Sequence, residues 1–153
     1  METKRLFMIT LCLTSILFAC KTRKNVFKSE GLSKLNGTWQ LNYITGPRIT
    51  FEGLYPGKKP TLLINTSEKI ISGNGSCNSY SSVLVADDHK ISFKAPIAAT
   101  MMSCVNGGDG EAVYFKTLEK VNAYTITDTT LNLMINDIVL MRFSKNDKSA
   151  SKK

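Results

Sequence analysis

The sequence lacks most of the residue patterns on which enzyme active sites are built. It contains a single histidine, His89, and it has no Cys-x-x-Cys pair, no Gly-x-Ser-x-Gly nucleophile motif and no phosphate-binding loop. Gly73-Asn74-Gly75 lacks the third glycine of a dinucleotide-binding turn. Asp87-Asp88-His89 could begin a metal site, but a polar run of this kind is more typical of a solvated hairpin tip. We therefore predict no catalytic residues, no cofactor and no bound metal.

Long hydrophobic runs are also scarce. The N-terminal run Leu6–Ala19 has 14 residues, whereas a membrane-spanning helix requires about 20. Lys4 and Arg5 precede this run, and a basic segment followed by a short apolar one is typical of a secretion signal. Leu17-Phe18-Ala19-Cys20 resembles the lipobox of bacterial lipoproteins, in which the cysteine thiol receives the lipid. We predict that residues 1–19 are a lipoprotein signal peptide and that Cys20 is the lipidated residue; the alternative is an ordinary signal peptide.

The net charge of +8 does not lie in the central part of the chain. Residues 21–36 carry +4 and residues 145–153 carry +3, while residues 37–144 hold nine basic and nine acidic side chains and are neutral. A nucleic-acid-binding domain needs a basic face with interleaved aromatic residues, so we predict no nucleic-acid partner. The pattern divides the chain into lipidated Cys20 with a flexible tether (20–36), one domain (37–144) and a disordered basic tail (145–153).

Cysteine is sparse, and processing reduces the number of free thiols further. Cys12 leaves with the signal peptide and Cys20 is lipidated, so Cys77 and Cys104 remain. An even number of cysteines in an exported protein indicates a structural disulfide. A redox-active pair is the alternative, although Cys77 and Cys104 lack the close spacing that activates a thiolate.

The remaining residues follow a β pattern interrupted once by a helical one. Thr38–Thr45 alternates between apolar and polar side chains, as a half-buried strand does. Residues 48–59 are irregular, and Asn136-Asp137 fits a two-residue hairpin loop. A strand at about Ser79–Val85 is predicted to turn at the polar hairpin tip and to return through Ile91 and Phe93. Apolar residues at a spacing of three predict one helix at about 110–121, on which Glu111 and Glu119 lie on a solvated face. We predict a mainly β (α+β) fold: seven or eight short antiparallel strands in a small barrel or strongly curved sheet, with one inserted helix.

Two local motifs stand out from this pattern. Gly73 to Tyr80 contains glycines that permit close backbone approach, followed by Cys77 and Asn78, and Thr100-Met101-Met102-Ser103-Cys104 ends on the other thiol. Together with Leu35-x-Gly37-x-Trp39 near the start, they resemble the META/HslJ-like domain of bacterial envelope proteins. The resemblance extends from about Leu35 to Phe143, with Ser76 at a position where the family often has glycine. Its motif residues here are Gly37, Trp39, Gly73, Gly75, Asn78, Tyr80, Thr100 and Met102.

The resemblance carries several implications beyond those drawn from the residues. It implies that the antiparallel barrel is incompletely closed and that the role of the protein is linked to heat shock or envelope stress. It does not imply an enzyme, so we expect no enzymatic activity. We therefore expect a monomeric, periplasm-facing binding or assembly module, held to the membrane by its lipid and contacting an unknown envelope protein or small ligand. The alternative is a lipocalin-like ligand binder or an enzyme-inhibitor barrel. Lys21 follows Cys20, with no acidic retention signal, which favours the outer membrane.

Overall fold

The computed structural model describes residues 30–104 and 108–146, and these ranges contain three helices and ten strands. The helices are α1 (Glu30–Lys34), α2 (Phe51–Leu54) and α3 (Gly108–Leu118). The strands are β1 (Gly37–Ile44), β2 (Thr61–Asn65), β3 (Ile70–Asn74), β4 (Ser79–Val83), β5 (Val85–Ala86), β6 (Ile91–Ser92), β7 (Ala98–Ala99), β8 (Ala123–Ile126), β9 (Thr130–Ile135) and β10 (Ile138–Lys145). None of the helices in these ranges is long and apolar enough to cross a membrane. The predicted signal peptide, Cys20 and residues 147–153 of the tail lie outside the described residues.

Eight of the strands form one antiparallel sheet in the order β7-β4-β3-β2-β1-β10-β9-β8. Its two edge strands, β7 and β8, do not pair with each other, so the sheet curves without closing. Register shifts between Leu41 and Tyr43 in β1, and between Val139 and Met141 in β10, mark irregularities in two neighbouring interior strands. Such bulges bend a strand and increase its twist. The predicted mainly β fold, an incompletely closed antiparallel barrel with an inserted helix, is confirmed.

The strand predicted from Ser79 to Val85 is divided in the structure. Its first part is β4, whereas β5 turns away and pairs with β6 in a separate two-stranded ladder. The predicted return through Ile91 and Phe93 is present, with Ile91 in β6 and both side chains buried. The loop between β9 and β10 is Asn136-Asp137 as predicted, and Asn136 adopts a positive φ of 51°.

Helix α3 contributes the central part of the hydrophobic core. It begins at Gly108 and ends at Leu118, slightly earlier than the predicted 110–121. Val121, predicted to end the helix, instead follows it and donates a backbone hydrogen bond to the Leu118 carbonyl (3.1 Å). The helix buries Tyr114 and Leu118 completely. They pack with fully buried side chains of the sheet, among them Trp39, Leu41, Leu62, Ile64, Leu131, Leu133 and Phe143.

The folded part begins before Gly37, where the sequence placed the domain boundary. Residues assigned to the tether form α1, and Leu35 is fully buried, with its carbonyl accepting a hydrogen bond from Trp39 Nε1 (2.8 Å). At the other end, Lys145 belongs to β10 and the Asn146 amide donates to the Thr38 carbonyl (2.8 Å). Tertiary contacts therefore fix short segments that have no periodic pattern of their own.

The stretch predicted to be irregular, residues 48–59, contains the single turn of helix α2. Thr50 caps it, because its side chain accepts a hydrogen bond from the Gly53 amide (3.1 Å). The helix buries Leu54, and Tyr55 directly after it donates a hydrogen bond to the Gly110 carbonyl at the start of α3 (3.0 Å). A four-residue helix is too short to produce a recognisable hydrophobic period.

Candidate functional site

The two sequence motifs meet at one end of the sheet. Cys77 in the β3–β4 turn and Cys104 after β7 form a disulfide across 27 residues, with their Cα atoms 5.9 Å apart. The predicted disulfide is thus confirmed. Both cysteines are partly exposed, and the bridge joins the turn to the segment that leads into α3.

Asn78 is the polar centre of this junction. It is only 6% exposed, and its amide oxygen accepts hydrogen bonds from the Thr100 hydroxyl (2.8 Å) and the Met102 backbone amide (2.7 Å). Its amide nitrogen donates to the Glu111 carboxylate (2.7 Å). A buried amide group needs such partners, since each unmade hydrogen bond costs about 1–3 kcal/mol. The predicted motif residues Asn78, Thr100 and Met102 therefore act together, through polar contacts that hold the two motifs side by side.

Glu111 closes the cluster from helix α3. One carboxylate oxygen accepts from the Asn78 side chain and the other from the Asn78 backbone amide, both at 2.7 Å. The prediction that Glu111 lies on a solvated helix face is therefore wrong, because this side chain faces the β3–β4 turn. Glu119, predicted to share that face, is exposed. No local signal pairs Glu111 with Asn78, since the two residues are 33 positions apart.

The β3–β4 turn is held by its own side chains as well. The Asn74 oxygen accepts from the Ser76 amide (3.0 Å), and the Asn74 nitrogen donates to the Cys77 carbonyl (3.1 Å). Ser76 has a φ of +106°, a region that favours glycine. This is the position at which the sequence departs from the family pattern. The departure therefore places a side chain where the backbone suits glycine.

Two motif glycines permit close packing around the turn. A Cβ atom on Gly73 would lie 2.0 Å from the Thr61 carbonyl oxygen, and one on Gly75 would lie 2.7 Å from the Glu111 carboxylate. Any side chain at Gly75 would thus displace the carboxylate that binds Asn78. Gly37, at the start of β1, is required for its conformation, since its φ is +130°. The expectation that the glycines permit close backbone approach is confirmed at Gly73 and Gly75.

Comparison with known families decides the relationship of this chain. The profile of the META domain matches residues 32–148. The chain belongs to the META domain family. The match begins five residues before Gly37, in agreement with the position of helix α1 in the structure.

Solved structures show the same fold as this META domain. An NMR structure of a protein from Burkholderia xenovorans has a TM-score of 0.60 and 22% identity, covering 79% of this chain and 90% of the other. A second NMR structure has a TM-score of 0.53 and 20% identity, covering 74% of this chain and 92% of the other. Among curated proteins none matches.

Aromatic residues pack together in the hydrophobic core of the META domain next to the motif cluster. The motif residue Tyr80 shares a hydrogen bond of 2.7 Å with Tyr114, and the Tyr80 hydroxyl also donates to the Thr61 carbonyl (3.0 Å). Phe115 packs edge-on against Tyr80, with ring centroids 5.3 Å apart. Burial raises the pKa of Tyr80 and of Tyr114 above the ordinary value of 10.0. The two hydroxyls stay protonated at neutral pH and serve as structural hydrogen-bonding groups.

An open groove of about 600 Å³ lies between the β6–β7 segment and helix α3. Its lining residues are apolar with two exceptions, Lys94 and Glu119: Phe93, Lys94, Ala95, Pro96, Ile97, Ala99, Phe115 and Glu119. The groove adjoins β7, an edge strand of the unclosed sheet. Sequence periodicity could not locate it, because its walls come from segments that are distant in sequence.

The polar hairpin tip at Asp87 to Lys90 is organised by backbone contacts. The Asp87 carboxylate accepts hydrogen bonds from the amides of His89 (2.9 Å) and Lys90 (2.7 Å). These two bonds hold the pKa of Asp87 below its ordinary value. Asp87 therefore stabilises the turn.

Proposed function

We propose that this protein is a lipid-anchored, periplasm-facing component of the cell envelope whose META domain is a non-enzymatic binding or assembly module. Its role is in envelope stress, including heat shock, or envelope maintenance. Membership of the META family, which is not a known enzyme family, supports the non-enzymatic part of this proposal. The anchor rests on Leu17-Phe18-Ala19-Cys20 and on the short apolar run before it.

The observation that carries the binding role is the contrast between the filled hydrophobic core and the open groove. Trp39, Tyr114 and Phe143 are fully buried there, so the space that a lipocalin uses for its ligand is occupied by side chains. A partner must therefore bind at the surface. The groove beside β7 offers apolar walls with a few polar groups, which is the usual composition of a recognition site.

Crosslinking in intact cells tests the binding role. A photoreactive amino acid replaces Ala99 in the groove, and a matched variant carries it at Thr125, an exposed position on β8. We expect a defined envelope adduct from position 99 and none from position 125. Equal adducts from both positions, or none from either, would contradict surface binding at this groove.

Fractionation tests the anchor separately. The Cys20→Ser variant should be unprocessed or released in soluble form, because the thiol that receives the lipid is missing. The membranes must be washed at high salt, since the +4 segment 21–36 could hold the protein to anionic lipid. Processed Cys20→Ser protein that stays with the washed membranes would show that the anchor lies elsewhere.

A second candidate function is favoured by the volume of the groove. About 600 Å³ lies within the range of small-molecule sites, so the groove could receive an apolar ligand instead of a protein segment. Native mass spectrometry of protein released from its lipid distinguishes the two. A retained small molecule that is lost when Ala99 is replaced by Trp supports the ligand, and its absence supports the protein partner.

A further inference from the structure

We propose that reduction of the Cys77–Cys104 disulfide exposes a binding site for a zinc-type divalent cation, formed by the two thiolates and the Glu111 carboxylate. One ligand atom from each of these residues lies within 4.8 Å of the other two. In a tetrahedral zinc site, bonds of about 2.3 Å to sulfur and about 2.1 Å to oxygen place the ligand atoms about 3.6–3.8 Å apart. The three groups therefore need only small movements to surround an ion. This site is independent of the proposed binding role.

The arrangement of the three residues does not depend on the disulfide alone. Asn78 binds Thr100 and Met102 on the Cys104 side and Glu111 on the helix. These hydrogen bonds remain when the bridge is reduced, so the two thiols stay close together instead of separating with their loops.

The surroundings also suit a bound cation. Among the described residues, Glu111 accepts hydrogen bonds only from the neutral donors of Asn78 and has no ion pair. A carboxylate has about four lone-pair positions, so two remain for a metal. Hydrogen bonds from a neighbouring group commonly orient a ligating carboxylate, and Asn78 provides them. All three ligand residues are partly exposed, which gives an ion access and leaves a fourth position for water.

The chemistry balances with a dithiol reductant. Two electrons and two protons pass from the dithiol to the disulfide, giving two thiols, and the reductant leaves as its own disulfide. The cation then displaces both thiol protons, which are released to solvent. Thiolate ligands select zinc over magnesium or calcium.

The test uses the full chain carrying Cys12→Ser and Cys20→Ser, so that Cys77 and Cys104 are its only cysteines. The protein is kept in a mild detergent. Cobalt(II) is the probe, because a thiolate–cobalt bond gives a charge-transfer absorption. We expect one cobalt ion per reduced chain, two protons released per ion, displacement by zinc(II), and no absorption from the oxidised protein. Glu111→Gln should weaken cobalt binding at least about tenfold, whereas the matched variant Glu52→Gln, at an exposed glutamate of helix α2, should bind as the parent does.

Several results would overturn the proposal. One is the absence of a charge-transfer band in reduced protein whose two thiols have been titrated. Another is equal cobalt affinity in the parent and Glu111→Gln, both shown to be folded by far-ultraviolet circular dichroism. A third is loss of the far-ultraviolet circular dichroism of the β-strands when the disulfide is reduced before any metal is added, because the site requires the Asn78 contacts to persist. If Glu111→Gln fails to fold, the count of released protons in the parent decides, and fewer than two per ion counts against the site.

Discussion

At the scale of single residues, Asn78 links three segments that are distant in sequence. Its side chain is nearly inaccessible to solvent, and it uses both its donor and its acceptor capacity on Thr100, Met102 and Glu111. An amide supplies both a donor and an acceptor, whereas an ionised carboxylate cannot donate to Glu111 and an apolar side chain can do neither.

Replacing Asn78 with Asp should therefore destabilise the domain in a pH-dependent way. The variant places a carboxylate against Glu111 in place of the 2.7 Å hydrogen bond, and we expect a loss of about 3 kcal/mol at neutral pH. The neighbouring negative charge raises the pKa of the introduced carboxyl group in the folded state, so the loss of stability shrinks as pH falls through that raised pKa. Urea unfolding of variant and parent at neutral pH and at about pH 5 measures the difference.

The control is Asn42→Asp, because Asn42 is exposed and contacts the Ser144 hydroxyl rather than an acid. It should have a small effect at both pH values. If Asn78→Asp lowers the free energy of unfolding by the same amount at both pH values, the charge argument is contradicted.

Ser76 provides a second prediction at this scale. Its φ of +106° is unfavourable for a residue with a Cβ atom, and its backbone amide, which binds Asn74, remains when the side chain is removed. Ser76→Gly should therefore stabilise the domain by about 1 kcal/mol. Ser81→Gly, in the middle of β4, should instead destabilise it by about 0.5–1 kcal/mol. A lower melting temperature for Ser76→Gly would show that the serine side chain has a compensating role.

At the scale of elements, the disulfide joins the β3–β4 turn to the segment before α3 and adds to the contacts of Asn78. The strand pairings lie elsewhere in the sheet and do not require it. The Cys77→Ala/Cys104→Ala double variant should lose about 3–4 kcal/mol, since the bridge closes a loop of 27 residues. Its far-ultraviolet circular dichroism should remain close to that of the parent. A change in stability below about 1 kcal/mol would favour the redox alternative, in which the bridge has little structural role.

Helix α1 shows how a short element gains its stability from tertiary contacts. Five residues cannot form a stable helix alone, yet Leu35 directly after it enters the core and binds Trp39. The composition of residues 21–36, basic and without a period, predicted a tether. Burial of this one leucine outweighs the polar composition of the segment, because it contributes about 1.5–3 kcal/mol to the free energy of folding.

At the scale of the whole molecule, buried tyrosines make stability depend on alkaline pH. The pKa values of Tyr80 and Tyr114 are raised by burial above 10.0, so the folded state keeps protons that the unfolded chain releases. Their contribution is fully present below pH 10 and is lost as pH rises through the higher folded values. We expect the free energy of unfolding to fall by up to about 1.4 kcal/mol per pH unit for each tyrosine.

Urea unfolding between about pH 8 and pH 11 measures this dependence. Tyr80→Phe is less stable at neutral pH because it loses two hydrogen bonds, but its stability should fall less steeply above pH 10. Parent and variant curves with the same slope would contradict the assignment of the alkaline effect to Tyr80.

The sequence determined the features that depend on neighbouring residues. Strand alternation, the Asn136-Asp137 loop and the period of α3 are local, so each could be predicted together with the mainly β fold. The cysteine count led to the predicted disulfide, because the predicted processing leaves only one pair of thiols. Recognition of the ordered motifs identified the family and drew attention to Asn78, which no periodicity would have distinguished.

Only the tertiary structure decided which distant residues meet. Glu111 was predicted to be solvated because a helical period describes one helix and not what packs against it; the fold places Gly75 beside it and leaves room for its carboxylate. The division of β4 from β5, the edge position of β7 and the groove beside it likewise depend on how the sheet curves. Curvature and long-range packing arise from contacts between segments far apart in the chain, and a local sequence pattern does not encode them.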